Sequence, residues 1–222
     1  MAVEVCSYRI SLRGTPVGTH VLRTEHRGQI TQLEGRLMLQ GGLGQLTTTQ
    51  VSRVQRRHHV SLGFREDTER RGENRVYDVV FDVTQGLVRA SRGSGDEASV
   101  PYIRPYRDPL GLLNELRSLA PSDEPLRIPM LGKDVTVLYL GTTELDTALG
   151  KRRAHAYRLH PGNAYVYVEV DEPHAILQMS QRVEGQPLDA LLVKVAQEDA
   201  MPVRESDRPR QGKRRRRRRR RR

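Results

Sequence analysis

The sequence predicts an all-β protein with one short helix: a single, strongly curved antiparallel sheet, or open β-barrel, packed around that helix. Three observations lead to this prediction. Apolar and polar residues alternate over most of the chain, which is typical of strands that bury one face. Gly or Pro with Asn, Asp or Glu marks most of the boundaries between these runs, as expected of turns. One segment in the middle of the chain has helical spacing instead.

The alternating runs predict the strands. In the first run Cys6 and Tyr8 share an apolar face, and residues 14–18 after it predict a turn. In a later run Val79 and Phe81 share one face, and Asp78, Val80 and Asp82 lie on the other. The predicted strands lie near residues 3–13, 19–27, 29–40, 45–56, 58–65, 75–83, 86–92, 127–130, 134–144, 152–160, 163–171, 175–183 and 187–196.

Residues 108–119 predict the helix. Asp108 is a suitable N-cap because its carboxylate can accept from the free amides of the first turn, and Pro109 suits the first helical position. Four leucines of the segment form one helical stripe, consisting of Leu112, Leu113, Leu116 and Leu119. This stripe must face an apolar surface. Two roles remain open, a helix that closes the core of the curved sheet and a lid over a ligand cavity.

The positive charge of the protein is confined to one end of the chain. The formal net charge of the 222 residues is +11. Residues 204–222 contain 13 basic and two acidic residues, whereas residues 1–203 contain 25 of each. A basic protein often carries a nucleic-acid-binding surface on its fold. Here the composition indicates a neutral body with a cationic tail.

We therefore predict two regions, a β-barrel-like domain over residues 1–198 and a disordered Arg-rich tail over residues 199–222. Apolar periodicity stops at Glu198. Adjacent like charges repel each other, and beyond Val203 the tail has no apolar residues to offset the entropy of ordering it.

The tail is the strongest functional signal in the sequence, and we predict that it binds nucleic acid without sequence preference. Each guanidinium can direct two N–H groups at one phosphate. The predicted contact residues are Lys213, Arg214, Arg215, Arg216, Arg217, Arg218, Arg219, Arg220, Arg221 and Arg222. RNA, DNA and anionic lipid all fit this chemistry. Nucleic acid ranks above membrane because the sequence has no amphipathic helix or acylation signal beside the tail. A merely solubilising extension is the other interpretation.

The body of the chain predicts no enzyme, metal site or cofactor. Adjacent histidines, His58 and His59, would point to opposite faces of a strand and could not share one ion. No HExxH or CxxC motif occurs. Cys6 lies on an apolar strand face, where a thiol behaves as a small hydrophobe. Asp78 and Asp82 are four residues apart on one strand, roughly 13 Å, which is too far for a catalytic carboxylate pair.

Two small basic clusters, residues 56–59 and 70–71, interrupt the neutral body. We interpret them as charges at strand edges or in loops, which discourage edge pairing. A secondary contact for the polyanion held by the tail is the alternative.

The chain as given has no signal peptide and no apolar run long enough to span a membrane. It therefore predicts a cytoplasmic protein with no transmembrane segment. The sequence does not indicate an oligomeric state.

Several of these motifs occur in an order that resembles a bacterial family. A Tyr8-x-Ile10 strand leads into residues 14–18, the Asp108-Pro109-Leu110-Gly111-Leu112-Leu113 helix follows in the middle, and residues 165–171 and 188–192 come late. Together they resemble domain of unknown function 3108, which is similar in shape to the outer-membrane lipoprotein carriers. The resemblance implies a curved antiparallel sheet around a helix and no reaction. It also implies relatives that are usually exported and that are not defined by an arginine tail.

The leading hypothesis is a non-enzymatic accessory protein whose tail binds nucleic acid. In the alternative, the concave face of the sheet and the helix residues Leu112, Leu113 and Leu116 enclose a lipid or other apolar ligand, and the tail localises the carrier. A hydrolase within the cavity is the third and weakest hypothesis.

Overall fold

The computed structural model describes residues 2–41, 44–93, 95–183 and 185–199. Over this part of the chain it has fourteen strands and one helix. The strands are β1 (Ala2–Leu12), β2 (Thr15–Arg27), β3 (Ile30–Leu39), β4 (Leu46–Gln55), β5 (Ser61–Arg70), β6 (Glu73–Asp82), β7 (Leu87–Arg92), β8 (Asp96–Pro101), β9 (Leu126–Met130), β10 (Lys133–Thr147), β11 (Gly150–His160), β12 (Ala164–Glu169), β13 (Ile176–Val183) and β14 (Gln186–Asp199). The helix α1 (Pro109–Leu116) lies between β8 and β9.

The strands form one sheet of two antiparallel meanders, the first from β1 to β8 and the second from β9 to β14. Its order is β8-β7-β6-β5-β4-β3-β2-β1-β14-β13-β12-β11-β10-β9. The first strand, β1, is paired along its whole length with the last, β14, in the middle of the sheet. Strands β8 and β9 are therefore the two edges, and the chain crosses from one to the other through α1. The predicted fold class, a single antiparallel sheet with one short helix, is confirmed.

Helix α1 lies between two apolar clusters. Leu112 and Leu116 belong to a large cluster built on β1 and the second meander, whereas Leu110 packs with Leu33 and Phe64 of the first meander. The two meanders thus share one helix in their core. This arrangement agrees with a sheet wrapped around a helix, since a sheet buries one face against another element.

The first predicted turn is too long. Strand β2 already begins at Thr15, so the hairpin turn consists of Arg13 and Gly14 alone. Both residues have positive φ, 51° and 81°, which suits a two-residue hairpin turn. Pro16 and Val17 lie within the strand, and Val17 is buried in the core.

Edge strand β8 has no counterpart among the predicted strands. All six of its residues, Asp96–Pro101, are exposed. A strand that buries neither face does not require alternating apolar and polar residues, so its sequence resembles that of a loop.

The expectation that His58 and His59 lie on a strand is wrong. Strand β5 begins only at Ser61, and both histidines belong to the turn between β4 and β5. His59 adopts a left-handed conformation, with φ of 53°. The turn places the first basic cluster, residues 56–59, outside the strands.

Candidate binding sites around the central helix

The predicted nucleic-acid contacts, Lys213 and Arg214–Arg222, lie outside the described residues. The same is true of nearly all of the predicted tail, residues 199–222, since the description ends at Asp199. Nucleic-acid binding and the boundary of the tail stay predictions.

The leucine stripe of α1 is largely part of the core. Leu112 and Leu116 are 6% and 0% exposed, whereas Leu113 is only partly buried and packs against the same cluster. In this structure α1 closes the core of the sheet, which is the first of the two roles open to it.

The N-terminal end of α1 is held by a buried carboxylate. Asp108 is 4% exposed. Its Oδ1 accepts from the Gly111 amide at 2.9 Å, and its Oδ2 accepts from the Ser52 and Ser61 hydroxyls at 2.6 and 2.5 Å. Burial raises the pKa of Asp108, and the hydroxyl and amide donors oppose this shift. The N-cap is predictable from the sequence, but the two serines come from β4 and β5.

The C-terminal end of α1 is held by Arg117. Its Nη1 and Nη2 donate to the two carboxylate oxygens of Glu4 at 2.6 and 3.0 Å. The same guanidinium donates to the carbonyls of Pro173 and His174 at 2.9 and 3.0 Å. Arg117 therefore joins the helix to β1 and to the turn between β12 and β13. This bidentate geometry is the one that favours Arg over Lys.

His59, Asn114 and Ser118 form a hydrogen-bond chain that resembles a catalytic triad. The Asn114 amide contacts His59 Nδ1 at 3.0 Å, and His59 Nε2 lies 3.1 Å from Ser118 Oγ. Ser118 Oγ also donates to the Glu115 carbonyl at 3.1 Å. If Asn114 donates to Nδ1, then Nε2 carries the proton and cannot take one from Ser118. In addition, a helix C-terminus presents carbonyls, which repel a developing oxyanion. These hydrogen bonds instead attach the β4–β5 turn to the C-terminal end of α1.

Cys6 lies buried on β1, 4% exposed, as predicted from the alternation. Burial, together with the negative charge of Glu4, raises the pKa of its thiol to about 11. The thiol therefore stays protonated at neutral pH, whereas nucleophilic chemistry requires the thiolate.

A crevice separates α1 from strands β1 to β3. Cys6, Tyr8 and Leu22 line its sheet side, and Leu113 and Arg117 line its helix side. Its volume is about 30 Å³, which corresponds to about one water molecule. A lipid chain does not fit between helix and sheet in this conformation.

A larger cavity lies beneath the connection from α1 to β9, with a volume of about 190 Å³. Val137 and Tyr139 of β10 and Tyr157 of β11 form its sheet side. Leu119 and Leu126, at the two ends of the connection, also line it. We refer to it as the connection cavity.

The two tyrosines of the connection cavity belong to a small aromatic cluster. Tyr139 and Tyr157 are cross-strand partners whose ring centroids are 5.6 Å apart, and the His155 ring lies 5.7 Å from that of Tyr139. The Tyr157 hydroxyl donates to the Leu119 carbonyl at 3.1 Å, which ties the connection to the sheet. Burial raises the pKa of Tyr157 to about 12 and lowers that of His155, so both rings are neutral at neutral pH.

A comparison with known families finds one family model that matches most of the chain. The family model described as "Protein of unknown function (DUF3108)" matches residues 7–208. The chain belongs to the DUF3108 family. The predicted resemblance is thus confirmed, and the match covers both meanders, α1 and the connection cavity.

The DUF3108 chain is also similar to a solved structure, described as a beta-barrel-like protein of domain of unknown function DUF1849 from Brucella abortus. The two share 10% sequence identity with a TM-score of 0.55, over 90% of this chain and 99% of the other. At this identity the likeness shows the fold alone. A search of curated proteins found no match.

In the part of the DUF3108 chain that the structure describes, no group of three or more His, Cys, Asp or Glu side chains could hold a metal ion. Its single described helix is too short to cross a membrane.

We expect the buried His20 of the DUF3108 domain to make the domain less stable at acidic pH. It pairs with Tyr8 across β1 and β2, with ring centroids 5.9 Å apart. Burial lowers the pKa of His20 from 6.5 to about 4. As the pH falls through this window the unfolded chain takes up the proton and the folded chain does not. We therefore expect this group to lower the free energy of unfolding by about 2 kcal/mol between pH 6.5 and 4, with its full contribution present above pH 6.5.

Urea unfolding of the wild type and of His20→Gln at several pH values measures this effect. Other histidines titrate in the same window, so the decisive quantity is the difference between the two proteins. We expect the wild type to lose more stability than the variant on acidification. Parallel stability curves for the two proteins would contradict the prediction.

Proposed function

We propose that this DUF3108 protein is a non-enzymatic accessory protein that binds nucleic acid through its polyarginine tail, while the β domain serves as the body to which the tail is attached. The observation that carries the proposal is the charge distribution. Residues 204–222 contain 13 basic and two acidic residues, and residues 1–203 are neutral overall.

The ion pairs of the described residues support this division. They engage ten arginines in eleven pairs. Two of the pairs, Arg107 with Glu115 and Arg117 with Glu4, are bidentate and mostly buried. Ten of the 25 basic residues of the body are therefore paired with carboxylates within the domain.

The tail supplies the chemistry that a polyanion needs. Each arginine keeps its charge at all physiological pH values and matches the geometry of a phosphate. Neutralising about eight charges on duplex DNA releases counterions, so that log K falls with log salt with a slope near −7. This corresponds to about a 10⁴-fold loss of affinity between 50 and 200 mM salt.

Fluorescence anisotropy of the full-length protein with a labelled 20-mer, as single-stranded RNA and as duplex DNA, tests the proposal. We expect binding to both, with the steep salt dependence given above. Replacing Arg214–Arg222 by nine serines preserves the length of the chain and should abolish binding at 150 mM salt. The matched control, Arg70→Ser with Arg71→Ser, removes two body charges and should change the affinity less than about threefold. Binding that survives the nine-serine change would overturn the proposal.

A carrier of a lipid or other apolar ligand is the second candidate function, favoured by the apolar side chains around α1. Since the crevice beside Leu113 holds about 30 Å³, an acyl chain would require α1 to leave the sheet and to expose Leu112 and Leu116. Native mass spectrometry of the purified full-length protein distinguishes the two functions. A lipid adduct that persists in the nine-serine variant would support the carrier, and its absence together with tail-dependent binding would support the accessory protein.

A further inference from the structure

We propose that the connection cavity is a binding site for a small organic cation, a protonated or quaternary amine that carries an apolar group. The proposal does not depend on the tail. It rests on the volume of the cavity, its aromatic rings and the charge of its lining.

The volume and the aliphatic part of the lining set the size and polarity of the ligand. The connection cavity measures about 190 Å³, more than the roughly 150 Å³ of an enclosed apolar cavity that binds benzene, and it is open to solvent beside the exposed Glu124 and Leu126. Leu119, Leu126 and Val137 supply aliphatic surface around it. A ring of six carbon atoms with one short substituent is therefore the right size.

The aromatic rings favour a positive charge on that ligand. Tyr139 and Tyr157 both line the cavity, and their ring centroids are 5.6 Å apart. Tyr157 is 1% exposed, so the partly exposed Tyr139 is the ring that a bound group would contact, with Tyr157 packed against it. The faces of such rings carry negative quadrupole potential, which attracts an ammonium group within about 6 Å of the ring centroid. The hydroxyl of Tyr157 is already engaged by the Leu119 carbonyl, which fixes its ring against the connection.

The charge of the cavity lining also favours a positively charged ligand. Among the nine residues that line the cavity in the described part of the chain, Glu124 is the one acidic residue, and Lys, Arg and His do not occur. Glu124 is solvent-exposed, and its carboxylate belongs to the part of the lining that faces solvent. An anion would meet a carboxylate without a compensating cation, whereas an amine would be attracted.

Three probes of nearly equal size separate charge from shape: benzylammonium, benzyl alcohol and benzoate. We expect titration of the full-length protein, with ¹³C-labelled tyrosine rings observed by NMR, to shift the Tyr139 and Tyr157 signals saturably with benzylammonium. Benzyl alcohol should bind at least about fivefold more weakly, and benzoate should bind more weakly still. Glu124→Gln should remove most of the preference for benzylammonium over benzyl alcohol. This exposed substitution is not expected to disturb folding.

Two further variants complete the test. Glu172→Gln removes an exposed carboxylate outside the cavity lining and should bind all three probes as the wild type does. Tyr139→Leu, with folding checked by its thermal melt, should weaken benzylammonium more than benzyl alcohol. No saturable shift of either tyrosine, or equal affinity for the cation and the anion, would overturn the proposal. Glu124→Gln with an unchanged preference would overturn the role of the carboxylate.

Discussion

Leu116→Ala is expected to destabilise the domain by about 4 kcal/mol, since large-to-small changes at fully buried leucines cost 2–5 kcal/mol. Leu116 is 0% exposed and belongs to the larger apolar cluster. Its side chain comes from α1, whereas its neighbours come from both ends of the chain, so the sheet cannot collapse around the gap without moving the helix. Urea unfolding at neutral pH, followed by circular dichroism, measures the loss.

Leu113→Ala is the matched control for this prediction. Leu113 lies on the same helix but is only partly buried at the crevice, so we expect a loss of about 1 kcal/mol. Losses of only about 1 kcal/mol at both positions would show that α1 is held loosely. Such a result would favour a helix that leaves the sheet, as the carrier function requires.

Asp108→Ala is expected to destabilise the domain by about 3 kcal/mol. The substitution removes the N-cap of α1, worth about 1 kcal/mol. It also leaves the hydroxyls of Ser52 and Ser61, both 0% exposed, without the acceptor they use, and an unpaired buried polar group costs about 1–3 kcal/mol. Urea unfolding of the variant measures the sum.

Two companion variants show which part of this loss comes from the serines. Asp108→Asn keeps an oxygen for the Gly111 amide and should lose less stability than alanine. Adding Ser52→Ala to Asp108→Ala should cost little more than Asp108→Ala alone, because the stranded hydroxyl is removed with its partner. If the double variant loses as much stability as the sum of the losses of Asp108→Ala and of Ser52→Ala alone, then the Ser52 contact at 2.6 Å does not contribute as proposed.

Most of the sheet was predictable because its signals are local. In β6 and β12, for example, Val79, Val166 and Val168 are buried on one face. The residues that alternate with them, such as Val80 and Tyr167, are more exposed. The cap of α1 was also predictable, since Asp108 and Gly111 are three residues apart. Strand β8 was not predicted because it buries neither face.

The candidate sites were much less accessible to sequence reasoning. Ser52 and Ser61 lie 56 and 47 residues from the carboxylate they contact, and nothing in their local sequence marks them. Tyr139 and Tyr157 alternate as ordinary strand residues, and only the β10–β11 register makes them neighbours. Glu124 joins them because the connection after α1 passes over that part of the sheet.

The amino-acid sequence by itself established the strand content, the helix with its cap and the segregation of positive charge into residues 204–222, because each depends on residues close together in the chain. The tertiary structure decided that β1 pairs with β14, that Arg117 and Asp108 hold the two ends of α1, and that a cavity opens between Tyr139, Tyr157 and the connection. These features arise from pairing between distant segments, and the burial that stabilises them exists only once both meanders enclose the same helix.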